Sequence, residues 1–178
     1  VPAQSKHHFH QTIGETRVAG PWAGKHWATI RQFYKPAPHF GLFEQRFESL
    51  FAAADKLDRL SDINALFIRA ICEILHIRTD IRQANEFDAA DEPTQRLVDL
   101  SLAVGATRYL TGPSAASYLD VALFHGRDIE VCFVNYDGYP EYPQPPPPFE
   151  HGVTILDLLF HTGEKALDYM KDLTPHDG

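Results

Sequence analysis

The chain has 178 residues, 44% of them hydrophobic and 22% charged, which suits one domain spanning 1–178 with a substantial core. A net charge of −8 without any cluster of Lys and Arg argues against a nucleic-acid partner, because phosphate neutralisation needs clustered cations. No apolar run is as long as a membrane span and no signal peptide is legible, so the expectation is a cytoplasmic protein with no membrane partner.

Residues 1–20 are polar and histidine-rich, and the alternation from His8 to Val18 suits an extended strand. His7, His8 and His10 read as exposed or sheet-edge residues. His8 and His10 would share one strand face, but no Cys or acidic partner completes a ligand pattern, and no metal is assigned. After Gly20-Pro21 a first helix is expected from Trp22 to Phe33, with Trp27, Ile30, Phe33 and Tyr34 as its apolar face. Lys25 and His26 fall in its first turn. They read either as an exposed Lys and a packed His or as an anion site at a helix N-terminus.

Phe40 to Ala54 forms a second helix, with Phe43, Phe47, Leu50 and Phe51 on its core side. A third is expected to start at Ser61 as N-cap and run to Leu75, leaving His76 as a surface residue near its end. Ile77 to Arg82 alternates like a strand, and residues 84–93 read as a surface loop. Pro93 then opens a helix through Val104, which Gly105 caps.

The segment from Gly105 to Phe149 organises the rest. A strand ends at Tyr109 and Leu110, Gly112-Pro113 breaks it, and a helix-like turn lies around Tyr118-Leu119-Asp120. A buried strand from Ile129 to Val134 then releases a tyrosine- and proline-rich loop. This is the order of a βαβ unit, whose ligand side lies at the carboxyl ends of its strands. The fold class expected is therefore α/β, with a short, mostly parallel central sheet and helices packed around it. Pro145 to Pro148 reads as polyproline II or a rigid turn, acting as a strut. Thr154 to Phe160 is apolar all round and reads as a buried helix. Gly163 separates it from a final helix, Glu164 to Leu173, and a frayed tail. Cys72 and Cys132 lie in apolar runs and read as buried free thiols, a disulfide between them being the alternative.

The chain carries no phosphate-binding glycine loop, dinucleotide fingerprint, HExxH, CxxC pair or GxSxG elbow, and the sequence assigns no cofactor. Its chemistry rests on tyrosines with polar neighbours. Tyr109 and Tyr118 read as core aromatics. Tyr136, Tyr139 and Tyr142, with Asp120 and Gln144 nearby, suit a small-molecule ligand that needs both ring stacking and hydroxyl hydrogen bonds, such as a sugar or nucleobase. His151 and Asp157 are candidates for acid–base work. Asp157, inside an apolar helix, needs a partner to be buried at all, and reads first as structural.

Taken together, the blocks KHWATIRQFYKPAPHF, GATRYLTGPSAASYLD, YPEYPQ and TILDLLFHTG resemble the WbqC-like protein family, over about His10 to Met170. The resemblance implies an association with bacterial polysaccharide and O-antigen biosynthesis. It also implies transfer of an acyl or aminoacyl group, glycyl among them, to an amino sugar carried on a nucleotide. The positions it marks are Lys25, His26, Tyr34, Gly112, Tyr118, Asp120, Tyr142, Gln144 and Asp157. In that reading Lys25 holds a phosphate or carboxylate, the loop tyrosines pack on the sugar or base, and His26 or His151 takes the amine proton. The competing reading is a non-catalytic module of a polysaccharide-assembly system, binding a sugar nucleotide or a protein. A metal-dependent hydrolase using the N-terminal histidines is a third. Family members open with a Met-Gln-Pro strand and a Phe-Pro-Trp/Tyr-x-Gly-Tyr segment. This sequence begins at Val1 without them, so an N-terminally truncated domain is expected.

Overall fold

The computed structural model describes residues 1–3 and 12–171. Six α-helices are found among these residues: α1 Ala23–Tyr34, α2 Phe40–Ala54, α3 Leu60–Ile74, α4 Pro93–Ala103, α5 Val121–His125 and α6 Ile155–Thr162. Two strands, β1 Arg108–Thr111 and β2 Glu130–Phe133, pair in parallel with Arg108 opposite Glu130 and Thr111 opposite Phe133. The fold is α/β, with a small parallel sheet and surrounding helices. The chain divides into two compact units, Val1–Thr79 with Pro140–Met170, and Asp80–Tyr139 with the segment from Lys171.

The first unit is helical. Its core is aromatic because α1, α2 and α6 each turn a ring-bearing face inward. Phe160 is wholly buried and meets the rings of Phe40, Phe47 and Tyr34 at 5.1, 5.6 and 5.3 Å. Trp27 stacks on Phe40 and on Phe51. Helix α3 begins at Leu60 with Arg59 as its N-cap, not at Ser61. The Leu60 amide donates to the Thr16 carbonyl and Arg59 bridges to Arg17, which places the N-cap two residues earlier than expected. The end of α3 is a left-handed cap. His76 has φ 54°, its amide donates to Glu73, and the Ile77 amide donates back to Cys72.

The expected strand over Ile77–Arg82 does not form: an alternating segment becomes a strand only when another strand pairs along it, and among the described residues no strand does so. The N-terminal strand lies partly outside the described residues. Within them, Ile13–Glu15 is a single 3-10 turn, and Val18 forms an isolated bridge to Ala3 and donates its amide to the Asp58 carbonyl at 2.8 Å, without belonging to a strand. His7, His8 and His10 lie outside the described residues. The chain bends over each residue of Pro145–Pro148, so a turn is adopted in place of extended polyproline II. In place of a final α-helix, Gly163–Tyr169 is a 3-10 helix, set off by Gly163 at φ 61° and ψ −130°.

The second unit carries the βαβ segment. Helix α4 is capped at its start by Glu92, whose carboxylate accepts from the Thr94 and Gln95 amides at 3.1 and 2.6 Å. Gly105 closes its end at φ 68°. A 3-10 helix, Pro113–Ser117, and then α5 connect β1 to β2. Tyr118 to Asp120 form the joint between those two short helices, where a helical turn was expected. Val98, Ala115, Leu119, Phe124 and Ile129 make the core, and Tyr109 stacks on Phe124 at 4.8 Å. Tyr109 is thus a core aromatic, but Tyr118 is 69% exposed. Ala115 and Leu119, four residues apart, fill the interior and turn Tyr118 outward. Cys72 and Cys132 are free thiols, each half-buried. Among the described residues no helix is long and apolar enough to cross a membrane.

Candidate functional site

Asp157 sits in the first turn of α6 and is 5% exposed. A carboxylate at that depth is stable only when its oxygens are matched by donors. The Tyr142 hydroxyl donates to Oδ1 at 2.7 Å, and Gln144 Nε2 donates to the same oxygen at 2.8 Å. Tyr34, near the end of α1, supplies a further hydroxyl. His161, one turn further along α6, places Nδ1 3.4 Å from Oδ1 and 2.9 Å from the Asp157 carbonyl oxygen. Burial pushes the Asp157 carboxyl up. The bonds from Gln144, Tyr142 and Tyr34, with the nearby His161, outweigh burial and leave it below the usual carboxylate range. The same burial, followed by the bond to and charge of Asp157, lifts the Tyr34 hydroxyl to about 12 and raises that of Tyr142 as well.

Gln144 also closes its own loop. Its Nε2 donates to the Glu150 carbonyl at 3.2 Å, and its Oε1 accepts from the Glu150 amide at 2.7 Å. Tyr142 is packed edge-on against Phe149 and Tyr169. The structure therefore gathers Tyr34, Tyr142, Gln144 and Asp157 into one polar cluster and adds His161, which the sequence reading did not single out. The missed signal was its i,i+4 spacing from Asp157, which stacks the two side chains on one helix face.

Lys25 and His26 occupy the first turn of α1, as expected, and both are exposed. They border an open hollow of about 690 Å³, which Trp22, Thr29 and Ile30 also line. The first turn contains no acidic residue, so nothing there offsets the positive end of the helix. His26 packs edge-on against Trp22 at 5.2 Å. Its burial, then the positive amino terminus and Lys25, lower its pKa below the ordinary histidine value. His151 is exposed and packs on Phe149 at 4.7 Å. Among the described residues no hydrogen bond or ion pair joins His26 or His151 to Asp157.

The remaining candidates lie in the second unit. Gly112 follows β1, and a Cβ there would stand 3.4 Å from the Tyr136 hydroxyl. Tyr136 is 57% exposed, and Tyr139 lies beneath the Lys171 ammonium, 5.6 Å from its ring centre. Lys171 in turn donates to the Asp137 carbonyl at 2.5 Å. Asp120 is the N-cap of α5, accepting from the Ala122 amide at 3.0 Å. Among the described residues no group of three or more His, Cys, Asp and Glu is placed to hold a metal ion.

The model of the WbqC-like protein family matches residues 1–169. The chain is 38% identical over 172 residues to the uncharacterized protein Rv1507c of Mycobacterium tuberculosis, covering 96% of this chain and 74% of that protein. No solved structure matches the chain. With the family blocks placed in α1, the β1–α5 segment, the Tyr142–Gln144 loop and α6, the chain belongs to the WbqC-like protein family, a family associated with bacterial polysaccharide biosynthesis.

Proposed function

We propose that the chain is a transferase of bacterial surface-polysaccharide biosynthesis. It moves an acyl or aminoacyl group, glycyl among them, onto the amine of a nucleotide-linked amino sugar. The observation that carries this reading is the Lys25–His26 pair on the first turn of α1, beside an open hollow, in a member of this family. The cation of Lys25 and the unpaired amides of a helix N-terminus suit a phosphate group. The half-apolar lining suits the sugar or base that the phosphate carries.

The reaction needs little beyond positioning and a proton acceptor. The neutral amine attacks the carbonyl carbon of an activated acyl donor, the C–N bond forms, and the donor's leaving group departs with its electron pair. The amine proton passes to a base. His26 and His151 were the candidates from sequence. Neither ring carries a hydrogen bond among the described residues that would fix its orientation.

The test is turnover followed by mass spectrometry. UDP-, dTDP- and GDP-linked amino sugars are each supplied with glycine and ATP, or with an acyl-CoA. An amide product is expected from one pairing, with KM for the sugar nucleotide raised about tenfold or more in Lys25→Ala, the loss of one charge-assisted contact. Binding of a sugar nucleotide with no product from any pairing would favour the non-catalytic module.

A further inference from the structure

We propose that His161, held by Asp157, is the base that takes the amine proton in this transfer. The inference rests on the transferase reading above and assigns the residue that reading leaves open. A carbonyl oxygen can only accept, so the 2.9 Å contact from Nδ1 to the Asp157 carbonyl requires the proton to be on Nδ1. The lone pair of the neutral ring is then on Nε2. The Asp157 carboxylate, 3.4 Å from Nδ1, is placed to stabilise the imidazolium that forms once Nε2 is protonated.

Nε2 has no hydrogen-bond partner among the described residues, yet it is not sealed in. The enclosed side-chain nitrogen or oxygen without a partner among them is Trp27 Nε1 alone. The ring is walled by Tyr34 and Tyr142, with centroids at 6.1 and 6.2 Å. Those hydroxyls are committed to Asp157, and in a side chain only 6% exposed Nε2 is the ring nitrogen left without a partner among the described residues. In the step itself the amine nitrogen bonds to the acyl carbon, the bond to the thioester or phosphate leaving group breaks, and the amine proton goes to Nε2. No oxidation or reduction is involved. Among the described residues neither His26 nor His151 has a carboxylate hydrogen-bonded or ion-paired to its ring.

Two measurements test this. In wild-type chain, two-bond nitrogen–proton NMR correlations are expected to show neutral His161 protonated on Nδ1, and the Nε2-protonated form would overturn the assignment. In turnover, His161→Gln is expected to lose at least about 100-fold in kcat with KM kept within a few-fold, as for removal of a general base. His125→Gln, at an exposed ring in the last turn of α5, is expected to keep its kcat. Retention of kcat by a folded His161→Gln overturns the assignment and leaves the transferase reading standing. Absence of turnover in wild type with every donor and acceptor overturns both, whatever the tautomer.

Discussion

The Tyr142 hydroxyl donates to Asp157 Oδ1 at 2.7 Å, fastening the loop before the tetraproline to the first turn of α6. Asp157→Ala would leave Tyr142, Gln144 and Tyr34 without their shared acceptor. It is expected to cost about 3 kcal/mol, in the range for a buried charged hydrogen-bonding group. Thermal denaturation checks this. A melting temperature unchanged within a degree would show that the cluster is not holding the loop.

The same carboxylate sets a pH dependence. Its folded pKa lies below its ordinary value, so its stabilisation is fully present above the unfolded value of about 3.9 and fades as pH falls through the lower folded value. The stability gap between wild type and Asp157→Asn is expected to shrink as pH falls below about 4. Urea denaturation across pH 2.5–7 measures it. A gap that widened in acid would contradict the assignment of an ionised Asp157.

Phe160 is the centre of the aromatic core, touching rings from α1 and α2. Phe160→Ala is expected to destabilise by about 3–5 kcal/mol through lost burial and the cavity left behind. Equilibrium unfolding followed by tryptophan fluorescence reports it, since Trp22 and Trp27 lie in the same core.

His76 ends α3 in the left-handed region, where a side chain is strained and glycine is not. His76→Gly is expected to stabilise the chain by about 0.5–1 kcal/mol. Gly163→Ala should do the opposite. A Cβ there would lie 2.6 Å from His39 Nδ1, at a φ and ψ that glycine alone adopts readily. Melting temperatures of the two variants should move in opposite directions.

What was legible in the sequence follows from the range of the forces involved. Helices α1, α2 and α4 could be read because their apolar periodicity, proline starts and glycine ends are local signals. The parallel pairing of β1 with β2 followed from the order of breaks and apolar runs. Ile77–Arg82 misled because alternation marks a surface that can pair, not the neighbour it would need. Tyr118 was placed in the core by its aromatic character, whereas the small Ala115 and Leu119 already fill that space. Asp157 announced its need for partners, but the four groups that meet it come from three separate stretches of chain. Only His161 was within local reach.

The most direct measurement is a thermal shift of this chain with UDP-, dTDP- and GDP-linked amino sugars. A specific ligand stabilises the native state by mass action, about 2.7 kcal/mol at a hundred times Kd, without any assumption about the reaction. The account predicts a concentration-dependent rise with at least one sugar nucleotide that Lys25→Ala weakens. No shift with any of them, in a chain that melts cooperatively, would contradict a nucleotide-linked amino sugar as its substrate.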